Sequence, residues 1–481
     1  MSGVAVAWEA HKTSLLSLKE TLEATGGTCL GFSQAENFCF ISVATDSRNV
    51  DQKTLFVPLR GKEQDGHSYI LAALDNGASV IFTDKQNFDT NKVTIDELQK
   101  KYSESVFIVV ENTLQALQQL AKAYVKKFPD LIRIGITGSS GKTTTKEIVA
   151  SILSQKFSVV MNEGNLNSET GLPLSVFKIR KEHQVGVFEL GMNRKGEIKE
   201  IATVLNPKYA VITNIGTAHI GLLGSQEAIA YEKKQIFSLF DSESTAFILE
   251  KDAYSEYLAE GLKCKVVRYG KEAKVAKSVG LAGTNFIVDG INMHLPLPGS
   301  GNLYDCLAAI AVAKELGCNT EQIKIAVESI KPLFGRSQII QGKLTVIQDC
   351  YNANPDSMIQ ALELLASLDS SLSKIAVLAD MLELGENSQA AHDQIIEKAL
   401  ECGLKFIICI GNQICNATLK YSKTKKCKER ILCFSEPSDE NVAMAAEYIC
   451  KNSKSKDVVL LKGSRGMKLE RFTPLITGGV L

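Results

Sequence analysis

The chain has 481 residues, of which 54 are Lys or Arg, 54 are Asp or Glu and 45% are hydrophobic. That length is too great for a single hydrophobic core, so the sequence predicts two to four domains. Because the charges balance, the composition excludes a general attraction to nucleic acid or to anionic membranes, and any basic binding site must be local.

The twelve cysteines form no C-x-x-C pair and are accompanied by no cluster of histidines. This pattern indicates reduced, mostly buried thiols of a cytosolic protein and argues against a zinc site. The amino-terminal segment carries Glu9 and lacks a basic stretch followed by a long apolar one, which argues against a signal peptide. No apolar run approaches the roughly 18–20 residues of a membrane span, so we expect a soluble, cytoplasmic protein. We also expect a monomer.

The first section, residues 1–127, predicts a small α/β domain. Its short apolar runs are typical of strands, and a helical pattern closes the section at Leu114–Lys127. The strand-like runs are Cys39–Val43, Thr54–Val57 and Ala78–Thr83, with a turn at Asp65-Gly66-His67 between them.

The second section, residues 128–331, contains the segment GITGSSGKTT at positions 135–144. The apolar run Leu131–Thr137 predicts a buried strand, and Lys146–Leu153 predicts the helix that follows. A glycine-rich turn between a strand and a helix points several backbone N–H groups at one spot, where the positive end of the helix dipole adds to them. Lys142 can then reach β- and γ-phosphates and the Thr143 hydroxyl can ligate Mg²⁺, so the segment predicts a nucleoside triphosphate site.

The loop departs from the full phosphate-loop pattern G-x-x-x-x-G-K-[ST] at one position, because Ile136 stands where the pattern has glycine. The alternative is an ordinary glycine turn that carries a solvated lysine. The strand before the loop and the helix after it favour phosphate binding. The candidate ATP contacts in the loop are Gly138, Ser139, Ser140, Gly141, Lys142, Thr143 and Thr144.

Strand-like runs in the rest of the second section alternate with helical stretches, which predicts a mostly parallel sheet. Such sheets bind ligands beyond the carboxyl ends of their strands. Glu189 follows one apolar run, and Asn214 and His219 follow the next. These side chains are therefore expected on the same sheet edge as the phosphate loop.

Four polar residues of this section are candidates for the site. Glu189 ends a buried run, where a carboxylate costs several kcal/mol unless it is paired or metal-bound. Mg²⁺ is the natural partner beside a nucleotide, and a salt bridge to the Arg-Lys pair at 194–195 is the alternative. For His219 a structural role and a ligand role stay open. Asn165 and Asn167 are explained equally well by turn formation.

The third section, residues 332–481, repeats the alternation and predicts a second open α/β domain. Arg336, at its start, could reach phosphates or form an ordinary interdomain ion pair. Asp349, at a strand end, could accept from a ribose hydroxyl, whereas Asn352 and Asn354 could simply form a turn. The strand-like runs are Leu344–Ile347, Ile375–Leu378, Phe406–Ile410 and Val458–Leu461.

Taken together, these segments resemble the Mur ligase family, amide-forming enzymes that assemble the stem peptide of peptidoglycan. TDSR at 45–48, LFVPLRG and DGHSYI are similar to the UDP-sugar-binding domain of the family. The central ATPase domain is matched by GITGSSGKTT, GNLNSETGLP, FELGMNRKGEI, TNIGTAHI and the helix of Lys233, and LPGSGNLYDCLAA resembles the segment that holds adenine. DCYNANPDSM, LADMLELGE and LLKGSRGMKLE resemble the C-terminal domain of the members that add D-alanyl-D-alanine.

The resemblance implies an α/β fold of three domains. Residues 1–127 would form a small α/β domain that binds the UDP-sugar, and residues 128–331 a P-loop-type ATPase domain with a mostly parallel sheet. Residues 332–481 would form a Rossmann-like domain that binds the incoming dipeptide and closes on ATP.

The implied reaction transfers the ATP γ-phosphoryl group to the terminal carboxylate of UDP-N-acetylmuramoyl-tripeptide. The amine of D-alanyl-D-alanine then attacks the acyl phosphate, in a step of peptidoglycan synthesis that supports cell shape and division. Another Mur-type or folylpolyglutamate-type ligase is the alternative enzyme, and a non-enzymatic nucleotide-binding regulator is the alternative outside catalysis. The segments TDSR and LFVPLRG argue for a substrate that carries a UDP-sugar.

The resemblance also assigns roles to single residues. It implies catalytic roles for Lys142, His219 and Lys233, with Mg²⁺ on Thr143 and Glu189 and a second metal near His219. Lys233 would be carbamylated, and the family register A-K-x-x-I, here E-K-K-Q-I, selects it over Lys234. Further ATP contacts would be Asn302, Arg336 and Asp349, and substrate contacts Ser47, Arg48, Asn165, Asn167, Asn352 and Asn354.

The chain departs from the family pattern at four positions. Gly301 stands where a histidine commonly precedes Asn302, and Glu250 replaces an asparagine. Both departures affect the expected adenine contacts. Ser168 and Ala379 replace an asparagine and a glycine, and none of the four touches the phosphate loop.

Overall fold

The computed structural model describes residues 14–30, 38–271, 274–421 and 430–479. Its α-helices are α1 Leu18–Thr25, α2 Ile70–Asp75, α3 Lys85–Lys101, α4 Thr113–Val125, α5 Lys142–Leu153, α6 Gly171–Val176, α7 Glu197–Leu205, α8 Ile220–Leu223, α9 Gln226–Lys234, α10 Ser255–Ala259, α11 Ser300–Glu315, α12 Thr320–Glu328, α13 Pro355–Ser367, α14 Ser388–Glu401, α15 Asn412–Thr418, α16 Asp439–Asn452 and α17 Phe472–Thr477. Its strands are β1 Thr28–Leu30, β2 Ser42–Ala44, β3 Thr54–Phe56, β4 Ala78–Asp84, β5 Val106–Val110, β6 Ile132–Thr137, β7 Val159–Met161, β8 Val185–Glu189, β9 Tyr209–Ile212, β10 Thr245–Leu249, β11 Lys265–Tyr269, β12 Lys274–Ser278, β13 Thr284–Val288, β14 Ile291–Leu295, β15 Gln338–Ile340, β16 Thr345–Asp349, β17 Lys374–Ala379, β18 Phe406–Ile410, β19 Ile431–Phe434 and β20 Val458–Lys462.

The chain divides into two compact units. The first consists of Met1–Arg133, Val159–Met192 and Glu197–Pro207, and the second of Ile134–Ser158, Asn193–Gly196 and Lys208–Leu481. The division into domains at 1–127, 128–331 and 332–481 stays a prediction. No helix in the described part of the chain is long and apolar enough to cross a membrane.

The first unit contains a five-stranded sheet in the order β1-β5-β4-β3-β2, which is parallel except for the β1–β5 pair. Its central strands β4 and β5 are nearly continuous apolar runs and are buried, as is typical of parallel strands covered on both faces. The N-cap Asn112 accepts from the Gln115 backbone N–H and so starts α4. β7 and β8 form a parallel pair in the same unit.

The amino-terminal half of the second unit carries parallel strands in the order β11-β10-β9-β6. Helices α5 and α11 pack against each other, and α12 packs against α5. This packing places α5, the helix that follows the phosphate loop, against residues far along the chain. Strands β12, β13 and β14 form a separate antiparallel meander.

The carboxyl-terminal half of the second unit has a six-stranded sheet in the order β15-β16-β20-β17-β18-β19, parallel except for β15. Alternate residues of β17 enter opposite cores, because strand side chains alternate between the two faces. Ile375 and Val377 join the core that contains α16 and α17, whereas Ala376 and Leu378 join the core that contains α13 and α14. The prediction of an α/β fold with mostly parallel sheets is confirmed.

Candidate functional site

The phosphate loop connects β6 to α5, and two of its glycines are fixed by close contacts. A Cβ atom at Gly138 would come within 1.8 Å of the Thr213 hydroxyl oxygen. At Gly141, which has φ +82° and caps α5, a Cβ would come within 2.1 Å of an Asp305 carboxylate oxygen. Ile136, where the general pattern has glycine, is a fully buried residue of β6. The departure from the phosphate-loop pattern at Ile136 therefore lies in strand β6 and not in the loop itself.

Asn214, just beyond the end of β9, holds the tip of the loop in place. Its side-chain oxygen accepts from the Ser140 backbone N–H at 3.1 Å, and its amide donates to the Ser140 carbonyl at 3.0 Å. The Thr213 hydroxyl donates to the same carbonyl at 2.6 Å. These bonds preorganise the backbone N–H groups of the loop, which a phosphate needs for binding.

Three cationic side chains lie at the loop. The ammonium groups of Lys142 and Lys233 each donate to the Gly138 carbonyl oxygen at 2.9 Å. The Arg336 guanidinium donates to the Thr143 hydroxyl at 2.9 Å and stacks on the Tyr351 ring. Cationic side chains grouped at a glycine-rich loop suit a polyphosphate, whose negative charge they attract.

The two adjacent lysines of α9 face different surroundings. Lys233 is 1% exposed and reaches the phosphate loop. Lys234 instead donates to the backbone carbonyls of Tyr257 and Glu260 and lies over the Tyr257 ring. Lys233, the lysine that the family register selects, is therefore the one that faces the phosphate loop.

Residues near the start of α13 contact the loop and the segment after β9. Asn354, the N-cap of α13, donates to the Ser140 hydroxyl at 3.1 Å. An Asp356 carboxylate oxygen accepts from the backbone N–H and the hydroxyl of Thr217 at 2.7 and 2.8 Å. The predicted third section therefore packs directly on the phosphate loop. Asp356 escaped the sequence analysis because an acidic residue in a first helical turn is ordinary.

His219 pairs with Glu383, from the segment LADMLELGE. The His219 Nδ1 atom lies 3.1 Å from a Glu383 carboxylate oxygen, and hydrogen bonding to His219 lowers the pKa of Glu383. Both residues have φ of +65°, a backbone conformation that L residues rarely adopt. No group of three or more His, Cys, Asp or Glu side chains in the described ranges is arranged to hold a metal ion. The metal near His219 stays a prediction.

Asp305, which sequence reasoning missed, is buried beneath the phosphate loop on α11. Burial raises the pKa of this carboxyl to about 8, although the Thr145 hydroxyl and the charges of Arg336 and Lys142 act in the opposite direction. Its only sequence signal was its place in LPGSGNLYDCLAA, and its packing against Gly141 depends on the α5–α11 contact.

We expect Asp305→Asn to flatten the pH dependence of the free energy of unfolding. The pKa of Asp305 lies above the unfolded value of 3.8, so the folded state holds an extra proton between about pH 4 and pH 8. Stability is therefore lost as pH rises through this window, by on the order of 1 kcal/mol per pH unit. Urea unfolding at pH 5, 6.5 and 8 measures the slope.

The control for the loss of one negative charge is Asp51→Asn, at an exposed aspartate of the first unit. This control should keep the wild-type slope, whereas the Asp305 variant should gain relative stability toward pH 8. Parallel curves for the wild type and Asp305→Asn would contradict the raised pKa.

Glu189, in the first unit, ends β8 and is 3% exposed. A carboxylate oxygen accepts from the Asn167 side-chain amide at 2.7 Å. Asn162 accepts from the Glu189 backbone N–H and donates to the Glu189 carbonyl, at 2.9 and 3.1 Å. Hydrogen bonds thus fix the orientation of this carboxylate and of Asn167, while Asn165 is exposed.

Asp349, a predicted ribose contact, is engaged by a buried lysine. Lys462, at the end of β20 and 3% exposed, lies 3.0 Å from an Asp349 carboxylate oxygen and donates to the Asn352 carbonyl. The Ser337 backbone N–H donates to the other Asp349 oxygen at 3.2 Å. In the sequence, Lys462 lies within LLKGSRGMKLE without any signal of its own, and its ion pair requires the β16–β20 pairing.

The remaining predicted contacts lie in separate places. Asn302, on α11, donates to the Pro298 carbonyl at 2.7 Å. In the first unit, Arg48 is exposed and paired with Asp46, whose pKa it lowers to about 2. Ser47 is buried beside them. Their assigned ligand contacts stay predictions.

Three profiles of one family match this chain. They are described as the Mur ligase family catalytic domain, over residues 41–125, the Mur ligase middle domain, over residues 136–313, and the Mur ligase glutamate ligase domain, over residues 335–465.

Individual relatives match along most of their length. The chain is 43% identical over 441 residues to the UDP-N-acetylmuramoyl-tripeptide–D-alanyl-D-alanine ligase of Treponema pallidum, with 91% of this chain and 94% of the relative covered. It is 32% identical over 475 residues to the ligase of the same name from Bacillus subtilis, with 95% and 97% covered.

Solved structures of ligases also match this chain. The crystal structure of MurF from Acinetobacter baumannii has a TM-score of 0.83 at 28% identity and covers 96% of this chain and 98% of its own. The MurF ligase of Thermotoga maritima, in complex with ADP, has a TM-score of 0.76 at 26% identity and covers 91% and 97%. Both solved structures cover more than nine-tenths of this chain.

Proposed function

This chain belongs to the Mur ligase family, and we propose that it adds D-alanyl-D-alanine to UDP-N-acetylmuramoyl-tripeptide in peptidoglycan precursor synthesis, at the expense of ATP. The observation that carries this function is the phosphate loop with its converging side chains, Lys142, Lys233 and Arg336. The shared name of relatives that match nearly the whole chain supports the choice of substrates.

Phosphoryl transfer requires positioning and charge neutralisation more than covalent participation by the protein. Lys142 and the backbone N–H groups of the loop would hold the β- and γ-phosphates, with Asn214 keeping the loop in shape. Arg336, whose guanidinium already lies at Thr143, would neutralise charge on the γ-phosphoryl group as it moves to the substrate carboxylate. The product of this step is an acyl phosphate, and the amine of the dipeptide displaces the phosphate.

The chemistry of the residues present fits Mg²⁺. The Thr143 hydroxyl at the start of α5 is an oxygen donor of the kind that Mg²⁺ prefers. The assignment of Glu189 to the metal rests on the family resemblance. Mg²⁺ is commonly held by one or two protein oxygens together with substrate phosphates and water, so a larger carboxylate cluster is not required. When bound, Mg²⁺ would neutralise phosphate charge.

Lys233 is the proposed carbamylation site. Its buried ammonium lies at the Gly138 carbonyl. Carbamylation would convert this cation into an anion. The same change gives the side chain oxygen atoms of the kind that hard cations prefer.

The acyl phosphate must be protected from water, and the third section supplies groups for this role. Asn354 and Asp356 already connect α13 to the phosphate loop and to Thr217. We assign binding of the dipeptide to the surroundings of Asn352 and Asn354. A cytoplasmic location is part of the proposal, because the nucleotide-linked substrate and ATP meet there.

The deciding experiment measures ADP release by the purified protein. UDP-N-acetylmuramoyl-tripeptide with D-alanyl-D-alanine should give ATP turnover that depends on both compounds. D-glutamate or a diamino acid, each supplied with its own muramoyl peptide, should give none. Turnover with D-glutamate, with a diamino acid or with a folate would overturn the proposed substrates, and ATP hydrolysis independent of every acceptor would overturn the ligase assignment.

A further inference from the structure

Arg465 lies at the carboxyl edge of the last sheet with its side chain half exposed. It comes three residues after the end of β20 and begins the short turn Arg465–Met467. Its Nη1 atom donates to a Glu470 carboxylate oxygen at 2.8 Å, and the side chain is 52% exposed. The bond to Glu470 orients the guanidinium and uses only one of its several N–H donors, so the others suit a second carboxylate.

Two half-exposed apolar side chains contact the segment of Arg465. The Phe334 ring centroid lies 5.4 Å from the central carbon of the Arg465 guanidinium. A Cβ atom at Gly466 would lie 3.3 Å from the Leu382 Cδ1 atom. Phe334 is 50% exposed and Leu382 is 51% exposed. A cation beside apolar surface suits a small ligand that carries both a carboxylate and methyl groups.

The segment of Phe334 connects Arg465 to the phosphate loop. Phe334 lies two residues before Arg336, whose guanidinium donates to the Thr143 hydroxyl at 2.9 Å. Two residues of chain span at most about 7 Å. Arg465 therefore stacks on a residue whose Cα atom lies within about one dipeptide length of the Cα atom of Arg336.

The backbone beside Arg465 is fastened to the segment LADMLELGE. The Ser464 backbone N–H donates to the Asp380 carbonyl at 3.1 Å. The Leu382 backbone N–H donates to the Ser464 hydroxyl at 2.9 Å. These two hydrogen bonds hold the segments of Arg465 and Leu382 in one arrangement, as a site that binds a small ligand requires.

We propose that Arg465 binds the carboxyl-terminal carboxylate of the incoming D-alanyl-D-alanine, with Phe334 and Leu382 against its methyl groups. This assignment rests on the proposed function. In that reaction the amine of the dipeptide must reach the acyl phosphate at the loop, so its carboxylate lies about two residues farther out. The guanidinium of Arg465 offers a planar pair of N–H donors to a carboxylate at that end.

The test compares D-alanyl-D-alanine with D-alanyl-D-alaninamide, which has the same methyl groups and a neutral end. Initial rates of ADP release give kcat/KM for each acceptor at saturating ATP and UDP-N-acetylmuramoyl-tripeptide. We expect the wild type to prefer the dipeptide by about 30-fold, because the amide loses a charge-assisted hydrogen bond.

Arg465→Ala should lose about the same factor with the dipeptide and change little with the amide, so that its preference falls toward one. Arg465→Lys keeps the charge without the planar pair of donors and should show an intermediate preference. The KM values for ATP and for the UDP-linked substrate should stay at their wild-type level in both variants.

Lys468→Asn is the matched control, since it removes one positive charge from an exposed residue of the same segment. Lys468 has φ +51°, a left-handed backbone conformation that asparagine tolerates. This control should keep the wild-type preference for the dipeptide. An equal loss of preference in Lys468→Asn and Arg465→Ala would indicate a general effect of charge and overturn the contact.

Equal use of the two acceptors by the wild type would overturn the carboxylate contact. A preference that Arg465→Ala retains, even at lower rates, would overturn it as well, because a structural role through Glu470 affects both acceptors alike. A raised KM for ATP or for the UDP-linked substrate, with the preference intact, would assign Arg465 to that ligand instead. Absence of wild-type turnover with either acceptor would overturn the proposed function, and this inference with it.

Discussion

Replacing Lys142 by Ala is expected to abolish measurable ligase turnover while the protein keeps its fold. The Lys142 ammonium lies at the Gly138 carbonyl at the start of α5, where the β- and γ-phosphates of ATP would bind. Loss of one preorganised charged donor at a developing negative charge costs about 10²–10³-fold in kcat, or more where the donor contacts the transferred group. The measurement is ADP release with both substrates, and circular dichroism reports the fold.

Lys156→Ala is the matched control for this variant. Lys156 follows α5 in the same unit, is exposed and donates to the carbonyls of Leu316 and Gly317. It should retain near-wild-type turnover. If Lys142→Ala also turned over at the wild-type rate with an unchanged spectrum, the phosphate-loop assignment would be wrong.

The second large effect is expected at Lys233. Lys233→Ala should lose most of the activity, and short carboxylates such as formate or acetate should restore part of it by occupying the space of the carbamate. The restoration tests the carbamate itself, because a carboxylate cannot replace a lysine that acts as a cation. Initial rates at increasing formate concentration give the measurement.

Lys234→Ala serves as the neighbouring control and should be mild, since Lys234 contacts the carbonyls of Tyr257 and Glu260 instead of the loop. If Lys234→Ala were the damaging change and Lys233→Ala the mild one, the register would be off by one residue. Wild-type activity of both Lys233→Ala and Lys234→Ala would mean that carbamylation is not used.

The sequence alone predicted the fold class, the phosphate loop and the family of this chain. These features are local: strand and helix patterns repeat along the chain, and the loop motif lies within ten consecutive residues. Short-range periodicity and turn chemistry depend only on neighbouring residues, so they can be recognised from the sequence without knowledge of the fold. The choice between Lys233 and Lys234 was weaker, because both lie in the same helical pattern and only the family register separated them.

The tertiary structure decided what depends on residues far apart in the chain. Packing of α11 on α5 places Asp305 under Gly141, and the position of α13 brings Asn354 to Ser140. Strand order in the last sheet makes Cys409 and Cys433 neighbours. Each contact joins segments that lie far apart in the chain, and neither partner of a contact carries a local signal that predicts the other. The sequence therefore determined which elements form and where the glycine-rich loop lies, whereas the long-range packing of those elements determined which side chains surround the loop and which strand residues become neighbours.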